Sequence, residues 1–291
     1  MARTPKSVAL GGAIRQARQE RGETLRDFAK RMQLDPGMLS RWETGSRSPK
    51  PEHVARMLTA LGIYDQRYKE LMTLAYGTDA DQWVAGTQPE QRQQFAAFAA
   101  CEQVATRIVD VSPLLIPGLL QTSAYTRAIL ADEDISPSEV SARIAFRNQR
   151  KEVLTRPLPV HYTAIICQAA LHQDIGGRHV MAEQLRFLLA MGARSNVDLR
   201  IVPFERGWHP ALEGHFQLID GANLITSVFV DMRRSTVLLH KEEDIRAYEA
   251  AVRKVMSRAA GRAESLRFIG DLAQRMEKRG DLPDQVAKVD P

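Results

Sequence analysis

The 291-residue chain has few aromatic residues, two cysteines and no long apolar run. No stretch approaches the roughly 18 apolar residues of a membrane helix, and the start of the chain has no apolar core like that of a signal peptide. We therefore expect a cytoplasmic protein. Cys101 and Cys167 lie far apart and outside any CxxC or Cys/His pattern, so neither a disulfide framework nor a zinc site is supported. With 44% apolar and 26% charged residues, the composition is that of an ordinary globular protein.

The excess of positive charge lies in the first quarter of the chain. Residues 1–78 carry 14 Lys and Arg against 8 Asp and Glu, a net charge of +6, whereas residues 79–291 carry 26 against 27, a net charge of −1. Such an asymmetry is typical of a segment that binds polyphosphate, because neutralised phosphates release counterions. A solvated basic face is the alternative interpretation.

The apolar spacing of the first 76 residues predicts five short helices that share one core. Gly22 ends the first helix, Thr24 caps the second, and Asp35 caps the third with Pro36 at its first position. The fourth and fifth helices are predicted at 51–61 and 65–76. The predicted core consists of Leu10, Ile14, Leu25, Phe28, Ala29, Leu34, Leu39, Trp42, Val54, Leu58, Leu61 and Leu71.

The second and third helices fit a helix-turn-helix. Such a motif needs a small residue where the helices cross, an apolar residue in the turn and apolar residues that fix the third helix. Ala29, Leu34 and the pair Leu39 and Trp42 meet these needs in order.

On these residues the N-terminal region resembles a lambda-repressor or Cro-type (XRE-like) helix-turn-helix domain. The resemblance covers residues 8–63, with TLRDFAKRM at 24–32, LDPGMLSRWETG at 34–45 and ALG at 60–62. It implies an all-α five-helix domain that binds double-stranded DNA through the third helix, and regulators of this kind act as dimers on two half-sites.

The resemblance also implies roles for single residues. Pro36, Gly37 and Arg41 occupy positions where relatives contact bases, and Ser40 and Met38 lie nearby. Since Pro36 and Gly37 have no side-chain donors, we expect Arg41 to make most of the direct base contacts. Its guanidinium can bind guanine O6 and N7. Contact of Arg41 with phosphate is the alternative.

The residues that follow the third helix are expected to hold the DNA backbone without reading its sequence. They are Thr44, Ser46, Arg47 and Lys50. Glu43 is assigned a structural role, as the acid that pairs inside the domain. Gln33 stands where relatives usually place Gly, so we expect strain on the order of 1 kcal/mol there.

The rest of the chain alternates between helical and strand patterns, which predicts a larger α+β domain at 90–280 after a linker at 79–89 and before a flexible tail at 281–291. Helices are predicted at 90–108, 123–131, 137–155, 178–193, 242–260 and 263–278. Strands are predicted at 160–167, 197–203, 215–220, 224–231 and 236–240.

This second region resembles the uncharacterised C-terminal domain of many actinobacterial regulators of development and antibiotic production. The matching stretches are PLLIPGLLQT at 113–122, the 143–156 helix, the Gly-Gly at 176–177 with the helix after it, and IVPF at 201–204 with GWHP at 207–210. The resemblance implies an antitoxin-like pairing with a small partner protein encoded nearby.

No enzyme signature such as GxxxxGK, HExxH, GxSxG or GxGxxG occurs, so we expect neither catalysis nor a cofactor or metal. Trp208 and His209, in a loop flanked by Gly207 and Gly214, are the best candidates for the rim of a site for a small-molecule effector or partner. A rigid structural turn is the alternative.

The sequence therefore predicts a DNA-binding transcription regulator, a dimer that reads a pseudo-palindromic operator and is controlled by its C-terminal domain. The alternative is an antitoxin-like protein that sequesters a small partner and regulates its own operon.

Overall fold

The computed structural model describes residues 4–76, 82–84, 88–131, 135–222, 224–232 and 235–280. The predicted tail at 281–291 and most of the predicted linker at 79–89 lie outside these ranges. In chain order the helices are α1 (Pro5–Glu20), α2 (Leu25–Met32), α3 (Pro36–Glu43), α4 (Pro51–Ala60), α5 (Gln66–Tyr76), α6 (Gln88–Val104), α7 (Ser123–Leu130), α8 (Pro137–Arg150), α9 (Gln168–Leu171), α10 (Gly177–Gly192), α11 (Glu242–Arg258) and α12 (Arg262–Gly280). The strands are β1 (Gln82–Val84), β2 (Arg107–Ser112), β3 (His161–Cys167), β4 (Val197–Val202), β5 (Phe216–Gly221), β6 (Leu224–Met232) and β7 (Ser235–Leu239).

The five predicted N-terminal helices are confirmed, and local capping explains where three of them begin. The side chains of Thr4, Thr24 and Asp35 accept hydrogen bonds from backbone N–H groups in the first turns of α1, α2 and α3. Every predicted core residue is buried except Leu25 and Leu34, which are half-buried.

Helices α1 and α3 cross at very short range. A Cβ on Gly11 of α1 would lie 2.3 Å from the carbonyl oxygen of Trp42 in α3, so only glycine fits at this position. The same crossing carries a hydrogen bond from Ser7 Oγ to the carbonyl oxygen of Gly45, at 2.9 Å. The position of α3 is therefore fixed by backbone contact as well as by side-chain packing.

The chain divides into two compact units, and the first comprises Met1–Ile108 and Phe216–Ala250. It joins α1–α5 to α6 and to an antiparallel sheet with strand order β1-β7-β6-β5. Helix α6 packs against α1 and against the sheet, where the rings of Phe98 and Phe229 lie 4.8 Å apart. Gln93 of α6 donates a hydrogen bond to the carbonyl oxygen of Glu70 in α5, at 2.7 Å.

The second unit comprises Val109–His215 and Ala251–Pro291. Its strand order is β2-β3-β4, and β3 and β4 are parallel, with Tyr162 opposite Val197 and Cys167 opposite Val202. Helix α12 packs against α10 and β4. The N–H of Ile201 in β4 donates to Ser265 Oγ at 2.9 Å, so the start of α12 satisfies a donor of this strand.

The core of the second unit contains a fully buried carboxylate. Asp110 of β2 accepts hydrogen bonds from Tyr162 at 2.9 Å and Ser112 at 3.2 Å, and His215 Nε2 lies 3.0 Å from it. These contacts satisfy a group that would otherwise be very costly to bury.

The α+β prediction for the second region is confirmed, but two predictions about its elements are wrong. The predicted helix at 90–108 ends at Val104, and β2 follows where the last turn of that helix was expected. The predicted helix at 137–155 ends at Arg150, and residues 151–154 form a 3₁₀ turn. In the described part of the chain, no helix is long and apolar enough to cross a membrane.

Candidate nucleic-acid interface

Helices α2 and α3 form the helix-turn-helix predicted from the sequence. Gln33 ends α2 with φ 53° and ψ 44°, a left-handed conformation that is unfavourable for any residue other than glycine. The N–H of Leu34 donates to the carbonyl oxygen of Ala29 at 2.9 Å and closes the turn. The strained position expected at Gln33 is therefore present.

The inner face of α3 is fixed by buried side chains. Leu39 is fully buried, and Trp42 packs against α4, where its ring centroid lies 5.1 Å from that of His53. Because these residues leave α3 little freedom to rotate, they determine which of its side chains face outward.

Glu43 pairs inside the domain, as predicted, and its partner is Arg18. The Nε and Nη2 atoms of Arg18 donate to the two carboxylate oxygens of Glu43, at 2.7 and 2.8 Å, and both side chains are buried. The hydrogen bond that Arg18 donates to Glu43 raises the pKa of Arg18 above its ordinary value. A buried, bidentate pair of this kind joins α1 to the end of α3 and leaves Glu43 no part in a surface.

The outward face of α3 holds the residues predicted to contact bases. Pro36, Gly37 and Arg41 are exposed, whereas Met38 and Ser40 are half-buried. Arg41 extends back toward the start of the helix, where its Nη2 atom lies 3.9 Å from Asp35 Oδ1. The start of α3 therefore presents an arginine, a carboxylate and two residues without polar side-chain atoms.

The predicted phosphate contacts fall into two groups. The Thr44 hydroxyl donates to the carbonyl oxygen of Ser40 at 2.8 Å and lies 2.6 Å from Ser46 Oγ, so these two hydroxyls bind the end of α3. Arg47 and Lys50 are exposed, and neither forms an ion pair with another described residue. Lys50 also stands at the start of α4, which has no side-chain cap. Arg47 and Lys50 thus present charges that remain free for an external anion.

Internal pairing determines which cations of the first five helices are available. Arg15 and Arg18 lie against Glu43, Arg31 pairs with Glu23 at 2.6 Å, and Arg67 pairs with Glu20 at 2.6 Å. On α2, on α4 and in the loop between α3 and α4, some exposed cations form no ion pair with any described residue. They are Arg26, Lys30, Arg47, Lys50 and Arg56.

Arg26, Lys30 and Arg56 were not predicted as site residues. The excess of positive charge in this region was visible in the sequence, but which cations are neutralised depends on contacts up to 47 residues apart.

The second unit places Trp208 and His209 in the loop between β4 and β5, with very different exposure. Trp208 is 65% exposed, whereas His209 is buried. Burial lowers the pKa of His209, and the charge of Arg258 lowers it further. Phe204 and Leu212 of the same loop are also more than half exposed, and the sequence did not single them out.

Within the described ranges, no group of three or more His, Cys, Asp or Glu side chains is placed to hold a metal ion.

Comparison with known families matches both parts of the chain. Residues 9–71 match a helix-turn-helix domain, which supports a DNA-binding regulator. Residues 95–271, more than half of the chain, match a domain of unknown function, DUF5753. The chain belongs to the DUF5753 family. In this DUF5753 protein the helix-turn-helix match spans α1 to α5, and the DUF5753 match begins within α6 and ends within α12. No curated protein and no solved structure matches the chain.

Proposed function

We propose that this protein is a sequence-specific, cytoplasmic transcription regulator that reads DNA with residues 36–44. In this proposal α3 enters the major groove, Arg41 binds a base edge, and the flanking cations bind phosphates. The proposal assigns no catalytic step, cofactor or metal to the chain.

The observation that carries this proposal is the distribution of charge around α3. Glu43, on its inner face, is paired inside the domain, while Arg41, Arg47 and Lys50 remain exposed on and just after the helix. A surface that binds polyphosphate needs exposed cations, and Arg47 and Lys50 form no internal ion pair that DNA binding would have to break.

The proposal includes a dimer on a pseudo-palindromic operator. One five-helix module contacts only a few base pairs, and specific binding at physiological salt requires more contacts than that. A dimer brings two copies of α3 to half-sites about one helical turn apart. The second region would then provide dimerisation, regulation or both.

Selection of binding sites from random duplex DNA by the full-length protein tests this proposal. We expect a consensus of two inverted half-sites, with centres about 10 base pairs or a multiple of this apart. Failure to enrich any sequence, at low salt as well as at physiological salt, would overturn the proposal.

A second candidate function is that of an antitoxin-like protein that sequesters a small partner protein and regulates its own operon. The loop between β4 and β5 favours it, because Phe204, Trp208 and Leu212 are each more than half exposed. Exposed aromatic and aliphatic residues close together are typical of protein interaction sites. The same loop is the proposed site for an effector, if a small molecule controls the protein instead.

Purification from native cells distinguishes these functions. A small polypeptide that remains in stoichiometric amount at every salt concentration would favour sequestration as the main task. Recovery of the protein without such a partner would favour the DNA-binding regulator, and Trp208 fluorescence would then report binding of a small-molecule effector.

A further inference from the structure

Two charged side chains, those of Asp35 and Arg41, lie close together near the start of α3. Asp35 Oδ1 accepts a hydrogen bond from the N–H of Met38 at 2.7 Å, and the same oxygen lies 3.9 Å from Arg41 Nη2. The side chains of Asp35 and Arg41 are 67% and 54% exposed. The guanidinium is thus held near the first turn of its own helix by a carboxylate that also caps that helix.

The glycine at position 37 leaves space for this arrangement. A Cβ on Gly37 would lie 3.1 Å from Asp35 Oδ1 and 3.4 Å from Arg41 Nη1. The backbone does not require glycine here, because Gly37 is helical and is not among the residues with positive φ. Since glycine weakens a helix relative to alanine, the space for the Asp35 carboxylate beside Arg41 is the compensating reason that the structure offers.

Capping alone does not explain an aspartate at position 35. Ser, Thr and Asn cap a helix about as well as Asp does, and α1 and α2 of this chain are capped by Thr4 and Thr24. Asp35 differs by placing an exposed negative charge on the face proposed to approach phosphates, where it opposes binding to any DNA. Such a repulsive element lowers affinity for wrong partners as well as for the right one.

We propose that Asp35 is a specificity-determining residue that acts through Arg41; this rests on the proposed DNA-binding function. The carboxylate holds the guanidinium over Gly37 and repels phosphates. Because an exposed ion pair is weak, Arg41 can leave it for guanine, whose O6 and N7 accept two hydrogen bonds in fixed geometry. On other sequences Arg41 gains less binding free energy when it leaves Asp35. The pair of Asp35 and Arg41 therefore increases the difference in affinity between specific and random DNA.

The test compares full-length variants by fluorescence anisotropy on a duplex selected by the wild-type protein and on a random duplex. Asp35→Asn keeps a capping side chain of the same shape and removes its charge. We expect it to bind random duplex about 3- to 10-fold more tightly, as loss of one repulsive charge near phosphates implies, and to lose about 3- to 10-fold in preference for the selected duplex. Gly37→Ala should lower the preference in the same direction, because a Cβ 3.1 Å from Asp35 Oδ1 shifts the carboxylate that faces Arg41.

Asp65→Asn is the matched control for net charge. Asp65 also precedes a helix, and its carboxylate accepts a hydrogen bond from the N–H of Arg67 at 3.0 Å, but it lies at the start of α5. We expect this variant to keep the wild-type preference. A double variant, Asp35→Asn with Arg41→Ala, should show no further loss of preference beyond Arg41→Ala alone, because Asp35 acts through Arg41.

Two outcomes would overturn the inference while leaving DNA binding in place. One is an unchanged preference in Asp35→Asn, and the other is an equal loss with or without Arg41. A wild-type protein that shows no preference between the two duplexes would overturn the proposed function and this inference together.

Discussion

The first five helices and the second unit use polar residues in opposite ways. Around α3, carboxylates such as Glu43 pair with arginines inside the domain, and other cations remain exposed. In the second unit the buried Asp110 is satisfied by Tyr162, Ser112 and His215, and the loop between β4 and β5 exposes Phe204, Trp208 and Leu212 beside charged side chains. The comparison indicates that the first region exposes cations without ion pairs, whereas the loop of the second unit exposes large apolar side chains.

The internal pair between Arg18 and Glu43 gives the largest expected effect. Glu43→Ala should reduce the free energy of unfolding by about 3–5 kcal/mol, because it leaves the buried Arg18 charge without its carboxylate. Urea unfolding of the full-length protein measures this loss. Glu20→Ala is the control, since it breaks an exposed pair with Arg67 and should cost less than about 1 kcal/mol. Equal losses would mean that burial does not distinguish the two pairs.

Arg41 should carry most of the sequence discrimination. Arg41→Ala is expected to weaken binding to the selected duplex by about 1–3 kcal/mol and to relax the preference at one base pair per half-site. Arg67→Ala changes the net charge equally but removes an arginine that is paired with Glu20. Equal losses on selected and random duplex for Arg41→Ala would place Arg41 against a phosphate instead.

Lys50 should contribute affinity without discrimination. Lys50→Ala is expected to weaken binding to all duplexes alike and to reduce the slope of log K against log salt by about one unit. Lys69→Ala, on the exposed face of α5, is the control with the same loss of charge. If both variants reduce the slope by the same amount, long-range charge rather than contact at Lys50 would be responsible.

The exposed loop of the second unit should matter little for stability or for DNA. Trp208→Ala is expected to change the free energy of unfolding by no more than about 0.5 kcal/mol, because its side chain is largely in solvent. Phe229→Ala, which truncates a buried ring, should cost about 3–5 kcal/mol. A large loss for Trp208→Ala in thermal or urea unfolding would identify the loop as a structural turn.

Sequence reasoning predicted the features that depend on local signals. The caps at Thr24 and Asp35 and the proline at the start of α3 act within one helical turn, so the bounds of α2 and α3 follow from neighbouring residues. The family resemblance added the role of Glu43, whose partner Arg18 lies 25 residues away.

The features that were not predicted depend on distant partners. Strand β2 carries Asp110 within an apolar run, and a buried aspartate becomes acceptable there only because Tyr162 and His215 lie beside it in the fold. The availability of Arg26, Lys30 and Arg56 for an external anion also depends on distant partners. It could not be read from the sequence, because the neighbouring cations are neutralised by contacts across helices.

The measurement that tests the account most directly is the salt dependence of duplex binding by the full-length protein. The account predicts that the logarithm of the binding constant falls linearly with the logarithm of the salt concentration. The slope should be about −4 or steeper, since several unpaired cations contact phosphates. It also predicts a preference of at least about 10³ for the selected duplex over random DNA at physiological salt. Binding that does not depend on salt, or no binding even at low ionic strength, would contradict the claim that α3 and its neighbouring cations form a DNA-binding surface.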